Sequence, residues 1–286
     1  MSIAAFDIGG TSVKYGIWNN NLLENKGSFP TPPTWLEMKK NIKIIFDGFL
    51  KEGAITGAGF SFPGSVSPEE GIIFGISAVP YIHHFPIQSE LEKELGVPVR
   101  IENDANCAAL AELWQGVATE ANNVLFVVAG TGVGGSVVVN REIIRGANLF
   151  GGEFGCMLLD KNTILSRVGT VVHAAERYSE RVGEKIDGKE LFQRTEQGDS
   201  IAKEEVETFL DSLSQGIHNL LVCFNPELLI LGGAISKRED VVEQLTERVQ
   251  AFLELSGAVD IDVNLVACHF HNDANLIGAV SVFERS

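Results

Sequence analysis

Two stretches of this chain carry one device: a β-prone run, a cluster of glycines, and a second β-prone run. Residues 4–16 read AAFDIGGTSVKYG and residues 127–139 read VVAGTGVGGSVVV. The first cluster offers Asp7, Gly9, Gly10 and Thr11; the second offers Gly130, Thr131, Gly132, Gly134 and Gly135. Glycine permits positive φ and lets backbone N–H groups come close to an anion. Alone, such a cluster reads equally well as a plain hairpin turn. Two of them, each opening one half of the chain, point to a clamp on a polyphosphate. Neither ends in G-K-[ST], so a P-loop is excluded. A dinucleotide fingerprint must open a helix after its strand. Here a valine-rich run follows instead, so a nicotinamide cofactor is rejected.

The rest of the chain repeats the alternation. Strand patterns are expected at residues 2–6, 13–18, 55–62 and 97–101, with helical spacing at 35–53 and 87–95. The series restarts with strands at 123–129 and 136–140, the residues between them (130–135) forming a turn. Helical patterns at 200–224 and 241–253, strands at 228–231 and 262–267, and a closing helix at 274–283 complete it. This predicts two α/β lobes: residues 1–104 with about 274–286, and residues 105–273. Ligands are expected in the cleft between them. A third glycine pair, Gly232-Gly233, ends the strand at 228–231 and can lie against an adenine or ribose.

With 38 acidic and 22 basic residues the formal net charge is -16, which opposes a nucleic-acid surface. No run of about 20 apolar residues exists, so no membrane span is expected. The first residues enter a strand with no basic segment ahead, so no secretory signal is expected. The four cysteines, at 107, 156, 223 and 268, form no C-x-x-C pair, and a reduced cytoplasmic setting follows.

At residues 101–110, IENDANCAAL, four polar side chains crowd the seam between a strand and an alanine-rich helix. Asn103 or Asp104 can cap that helix. Asp104 can also serve as the base that orients and deprotonates an acceptor hydroxyl in phosphoryl transfer. The two roles are compatible if Asn103 caps.

Over essentially its whole length the chain resembles the ROK sugar kinases, of the two-lobed actin-like ATPase (ribonuclease H-like) fold. The resemblance rests on FDIGGTSVKYG, GFSFPGSVS, IENDANCAALAE, GTGVGGS, GGEFG and NPELLILGGAIS, in that order. It implies ATP as phosphoryl donor and Mg²⁺ held by Asp7 through water. It places phosphate loops at Asp7 to Thr11 and Gly130 to Gly135, and the catalytic base at Asp104. The sugar is expected on Asn103, Glu153 and the Pro63-Gly64 turn. A homodimer and a small-molecule sugar partner are also implied.

The sequence departs from the pattern in two places. Cys156 stands where many such kinases have histidine, and residues 157–178 contain no cysteine, so no structural zinc is expected. His173 is left over. Val172 falls where the family places a sugar-contacting glutamate. A site lacking polar contacts does not reject analogues lacking the matching hydroxyl. A β-glucoside such as cellobiose is therefore expected, with Tyr81, His83 and His84 on its aglycone side. Glucokinase and N-acetylmannosamine kinase are the alternatives within the class; a non-catalytic sugar-sensing regulator is the alternative outside it.

Overall fold

In the computed structural model, which describes residues 2–284, the first glycine device is a tight hairpin. Strand β1 (Ile3–Ile8) pairs antiparallel with β2 (Ser12–Asn19), and β2 with β3 (Leu22–Pro30). On its other side β1 runs parallel to β4 (Gly57–Phe62). A short hairpin, β5 (Ser65–Ser67) and β6 (Ile72–Phe74), follows. Then β7 (Val99–Asn103) adds parallel to β4, giving the sheet order β3-β2-β1-β4-β7.

Side chains of a strand alternate between faces. One face of this sheet sets Phe6, Ile8, Phe60, Phe62 and Ile101 against α1 (Trp35–Glu52) and α2 (Ile87–Leu95). Helix α1 starts where Thr34 accepts a hydrogen bond from Glu37 N–H, and it buries Met38, Ile42, Phe46 and Phe49 along one stripe. Phe6 and Phe60 stack with ring centroids 4.9 Å apart. Each such buried ring contributes roughly 1.5–3 kcal/mol from burial.

The opposite face is polar where it meets the strand ends. Asp7, Ser61 and Glu102 stand in register across β1, β4 and β7. Helices α3 (Asp104–Gln115) and α9 (Ala274–Glu284) pack against each other on this side. Their approach is very close: a Cβ on Gly278 would stand 1.8 Å from the Cys107 carbonyl oxygen, and one on Gly59 2.2 Å from that of Ala279.

The second half repeats the plan. Strand β8 (Val124–Ala129) pairs antiparallel with β9 (Val133–Val139), and β9 with β10 (Glu142–Ile143). Helices α4 (Leu165–Val168), α5 (Val171–Val182), α6 (Gly188–Glu196) and α7 (Ser200–Phe224) follow. Strand β11 (Leu228–Gly232) lies parallel to β8. After α8 (Glu239–Ser256), β12 (Leu265–Ala267) lies parallel to β11. The order β10-β9-β8-β11-β12 matches the first sheet strand for strand.

The chain divides into two units. Unit 1 is Met1–Thr119, Gly146–Phe150 and Asn272–Ser286; unit 2 is Glu120–Arg145 and Gly151–His271. The sequence reading put the first junction at 104. The structure puts α3 with unit 1, because α3 covers that sheet together with α9. Met1, Arg285 and Ser286, which the expected first lobe included, lie outside the described residues. The expected turn at 130–135 is shorter than predicted: Gly134 and Gly135 belong to β9, opposite Val128 and Val127. Strand β3 had no counterpart in the sequence reading.

Candidate functional site

Unit 1 gathers its chemistry at the carboxyl ends of β1, β4 and β7. Asp7 is only 7% exposed, and its Oδ1 accepts from Ser61 Oγ (2.8 Å) and Asn275 Nδ2 (3.0 Å). Its Oδ2 faces the Lys14 ammonium at 3.6 Å. Glu102, 1% exposed, accepts from the Asn103 backbone N–H (2.8 Å) and the Asn106 amide (3.0 Å) through Oε1. Cys107 is buried beside Ser61. Burial first, then the charges of Glu102, Asp7 and Asp104, holds its thiol well above the ordinary range.

The seam resolves into a division of labour. Asn103 is the N-cap of α3, its side-chain oxygen accepting from Asn106 N–H at 3.1 Å. Its amide nitrogen donates to the Gly64 carbonyl at 3.0 Å. Gly64 has φ +101°, a conformation that favours glycine and turns that carbonyl toward Asn103. Asp104 is the first residue of α3, half-buried, with Oδ1 accepting from Ala105 N–H at 2.8 Å. A carboxylate at a helix N-terminus is favoured by the helix dipole. Capping falls to Asn103, and the Asp104 carboxylate stands beside it at the strand end.

The Gly9–Thr11 loop is braced from outside. Gly9 N–H donates to Ser12 O (3.0 Å). Thr31 donates its hydroxyl to Gly9 O (2.5 Å) and its N–H to Thr11 O (3.1 Å). Neither Gly9 nor Gly10 has positive φ, contrary to one expected reason for glycine here. Close approach is the reason: a Cβ on Gly10 would meet the Ala78 methyl at 2.6 Å, and one on Gly9 the Ser12 carbonyl at 2.9 Å. An open cavity of about 640 Å³ within unit 1 reaches Gly10, Thr31, Ala78 and Tyr81. Tyr81 donates its hydroxyl to the Pro32 carbonyl. His83 lies between Ser77 Oγ (2.8 Å) and Phe74 O (3.2 Å) and touches the Gly64 turn. Burial lowers the His83 pKa, which favours the neutral ring. His84 is exposed, with φ +63°.

Unit 2 brings its own set together. Gly130 N–H donates to Gly132 O (2.9 Å), and Thr131 and Gly132 are exposed. Gly233, at φ +90°, has room for no Cβ, because the Ala129 carbonyl would lie 2.3 Å away. The Gly232-Gly233 turn therefore sits against the start of the Gly130 loop. Gly135 holds no free turn; its Cα is covered by Phe154, whose ring would meet a Cβ at 2.4 Å. That packing seats the segment carrying Glu153. The Glu153 side chain is half-buried, and burial alone pushes its carboxyl up. Sequence reasoning missed the braces Ser61, Asn275, Thr31 and Ser166. Each reaches its partner across more than twenty residues and carries no local pattern.

Chemically, unit 1 presents one half-buried carboxylate beside a fixed amide and a loop of backbone groups. Unit 2 presents a second such loop and an acid suited to accept from a hydroxyl. Asp7 is fit to touch a cation through water: Oδ1 is already engaged by two donors, and among the described residues Oδ2 has only the Lys14 ammonium, 3.6 Å away, beside it. Cys156 is exposed. Among the described residues no group of three or more histidine, cysteine or acidic side chains is placed to hold a metal ion.

Comparison with known proteins follows the same line. The beta-glucoside kinase of Klebsiella pneumoniae is 32% identical over 297 residues, covering 100% of this chain and 97% of that protein. A ROK family protein from Streptococcus pneumoniae, solved with sucrose, is 32% identical with a TM-score of 0.91, over 100% of this chain and 98% of that one. A ROK family glucokinase from Streptomyces griseus, solved with glucose and AMPPNP, superposes over the whole of both chains with a TM-score of 0.86. At 22% identity it shows the fold alone. The expected actin-like ATPase fold is the fold of these neighbours. The ROK family model matches residues 3–286, and with the two repeated sheets and their glycine hairpins in place, the chain belongs to the ROK family.

Proposed function

We propose that this protein is an ATP-dependent sugar kinase that phosphorylates the 6-hydroxyl of a β-glucoside such as cellobiose. The observation that carries the chemistry is the arrangement at the head of α3. Asn103 takes over the cap and the Gly64 contact, so Asp104 is not required to hold the helix. Asp104 then orients the 6-hydroxyl and accepts its proton as the oxygen attacks the γ-phosphoryl group. The Pro63-Gly64 turn, Asn103 and Glu153 hold the sugar. Glu153 gains most from this, since a hydroxyl donor offsets the cost of its burial.

Backbone N–H groups of Gly10 and Thr11 and of Thr131 and Gly132 receive the phosphate oxygens, while those of Gly9 and Gly130 close the turns. Gly134 and Gly135 act one step behind, as strand and packing positions. Gly232 and Gly233 receive the adenosine. Asp7 is the residue that would hold Mg²⁺, through water, and the ion would supply neutralisation of phosphate charge when bound with the nucleotide. The reading requires both sets of groups to act on one pair of substrates.

The choice of a β-glucoside is supported by full-length likeness to beta-glucoside kinases, and by Cys156 and Val172 at positions where polar sugar contacts were expected. A coupled assay of ADP release tests it on cellobiose, glucose, N-acetylmannosamine and N-acetylglucosamine. A kcat/KM for cellobiose above that for glucose sustains the reading. A strong preference for free glucose makes the protein a glucokinase instead. ADP release that no sugar accelerates removes the kinase reading altogether.

A further inference from the structure

Ser166 stands at a junction that the reaction as described does not use. It lies on α4, a single turn fixed by Leu165, which is 1% exposed. The Leu165 side chain lies against Gly216 of α7, where a Cβ would come within 2.6 Å of it. From that anchor the Ser166 hydroxyl reaches β9. It accepts from Val133 N–H at 2.9 Å and donates to Val133 O at 3.3 Å. Val133 is the first residue after the Gly130–Gly132 loop, and a Cβ on Gly132 would stand 3.3 Å from the same hydroxyl. Gly155, two residues beyond Glu153, closes the junction from the other side. A Cβ there would lie 2.0 Å from Ser166 Oγ and 2.2 Å from Val133 O. One hydroxyl thus touches the end of the phosphate-type loop and the segment that carries the acid.

We propose that Ser166 is a positioning residue that holds the Gly130–Gly132 loop and the Glu153 segment in one register, so that nucleotide and sugar affinity both depend on it. The proposal rests on the kinase reading for the identity of the two ligands. Ser166 touches neither of them; it acts by fixing Val133 N–H and by filling the space beside Gly155. The contact is local to unit 2, where β9, α4, α7 and the Glu153 segment pack together.

The test is Ser166→Ala, compared with Ser179→Ala. Ser179 also accepts from a backbone N–H (Ile186, 3.1 Å), far from the loop in sequence and on α5. A backbone hydrogen bond is worth about a factor of three to ten in an equilibrium. Ser166→Ala is therefore expected to weaken MgADP binding by about three- to tenfold. The KM for the best sugar should rise by a similar factor, with kcat at saturation within about twofold. Ser179→Ala should lower the melting temperature and leave both affinities alone. Titration of MgADP needs no turnover. If the wild type binds MgADP yet phosphorylates no sugar, the kinase reading fails while the ratio of MgADP constants still judges Ser166. Affinities of Ser166→Ala within twofold of wild type overturn the proposal. If that variant does not fold, amide exchange in the wild type decides: Val133 N–H exchanging as fast as that of the exposed Thr131 overturns it, and strong protection sustains it.

Discussion

The two glycine hairpins occupy the same place in two sheets of the same order, and they differ in what surrounds them. Matching the turns sets Asp7 of β1 against Val128 of β8, and Lys14 of β2 against Gly134 of β9. The unit 1 hairpin is therefore charged, with Asp7 held by Ser61 and Asn275. The unit 2 hairpin is neutral, and its strand is thinned by glycine so that Phe154 and Gly155 can lie on it. A shared scaffold fixes where backbone N–H groups can be offered. The side chains one residue in from the turn decide what each copy does with that position. On this reading unit 1 carries the reacting carboxylate Asp104 and the cation-holding Asp7, and unit 2 carries the surface to which an uncharged loop and the Glu153 segment are fitted.

The comparison can be broken at its strongest point first. Asp104→Asn should keep the fold, since Asn103 does the capping, and should cut kcat by about 10²–10⁴-fold. Near-normal turnover would mean that the carboxylate is not part of the reaction. Asp7→Asn keeps the shape of the side chain and removes the charge that has no equivalent in unit 2. It should raise the KM for MgATP by about ten- to a hundredfold, with little change in melting temperature; an unchanged KM would leave the two hairpins chemically alike.

Crowding distinguishes the hairpins next. Gly155→Ala sets a methyl against Ser166 Oγ and the Val133 carbonyl, a backbone atom that cannot swing aside. It should destabilise by about 1–3 kcal/mol. Gly10→Ala meets only the Ala78 methyl and should cost less in urea unfolding; the reverse order would contradict the packing account. The smallest effect is at Glu153. Its carboxyl is raised on folding, so the group favours the folded state at acid pH, and that contribution is lost as pH rises through the folded value. Glu153→Gln should thus raise the melting temperature slightly at about pH 7 and not at about pH 4, below which both states are protonated. An equal shift at both pH values would exclude burial as the cause.

Much of this is legible in the amino-acid sequence alone. Glycine clusters between β-branched runs announce themselves, and so does a polar seam before an alanine-rich helix. The length of the second turn was misjudged because Gly134 and Gly135 look like loop residues; only Phe154, folded back from the next segment, explains them in a strand. Strand β3 escaped notice because it is an edge strand, largely exposed and lacking alternation. The junction at 104 falls one helix early because α3, expected as an alanine-rich helix, is buried almost all round and has no single apolar stripe to show which sheet it covers. Braces such as Thr31, Ser61, Ser166 and Asn275 are hydroxyls and amides of ordinary type, and their partners are set by tertiary folding alone.

One donor to Asp7 comes from α9, while β1 lies near the other end of the chain. All of unit 2 is translated between them. The first sheet thus cannot receive the helix that roofs its polar row until the whole sequence of unit 2 has been translated. During synthesis, Asp7 waits without Asn275, and the Gly59 notch stays open to solvent. A chain truncated shortly before residue 274 would keep the whole sequence of its second unit and lack the helix that completes the first, which makes loss of that helix a route to a protein that folds in part and catalyses nothing.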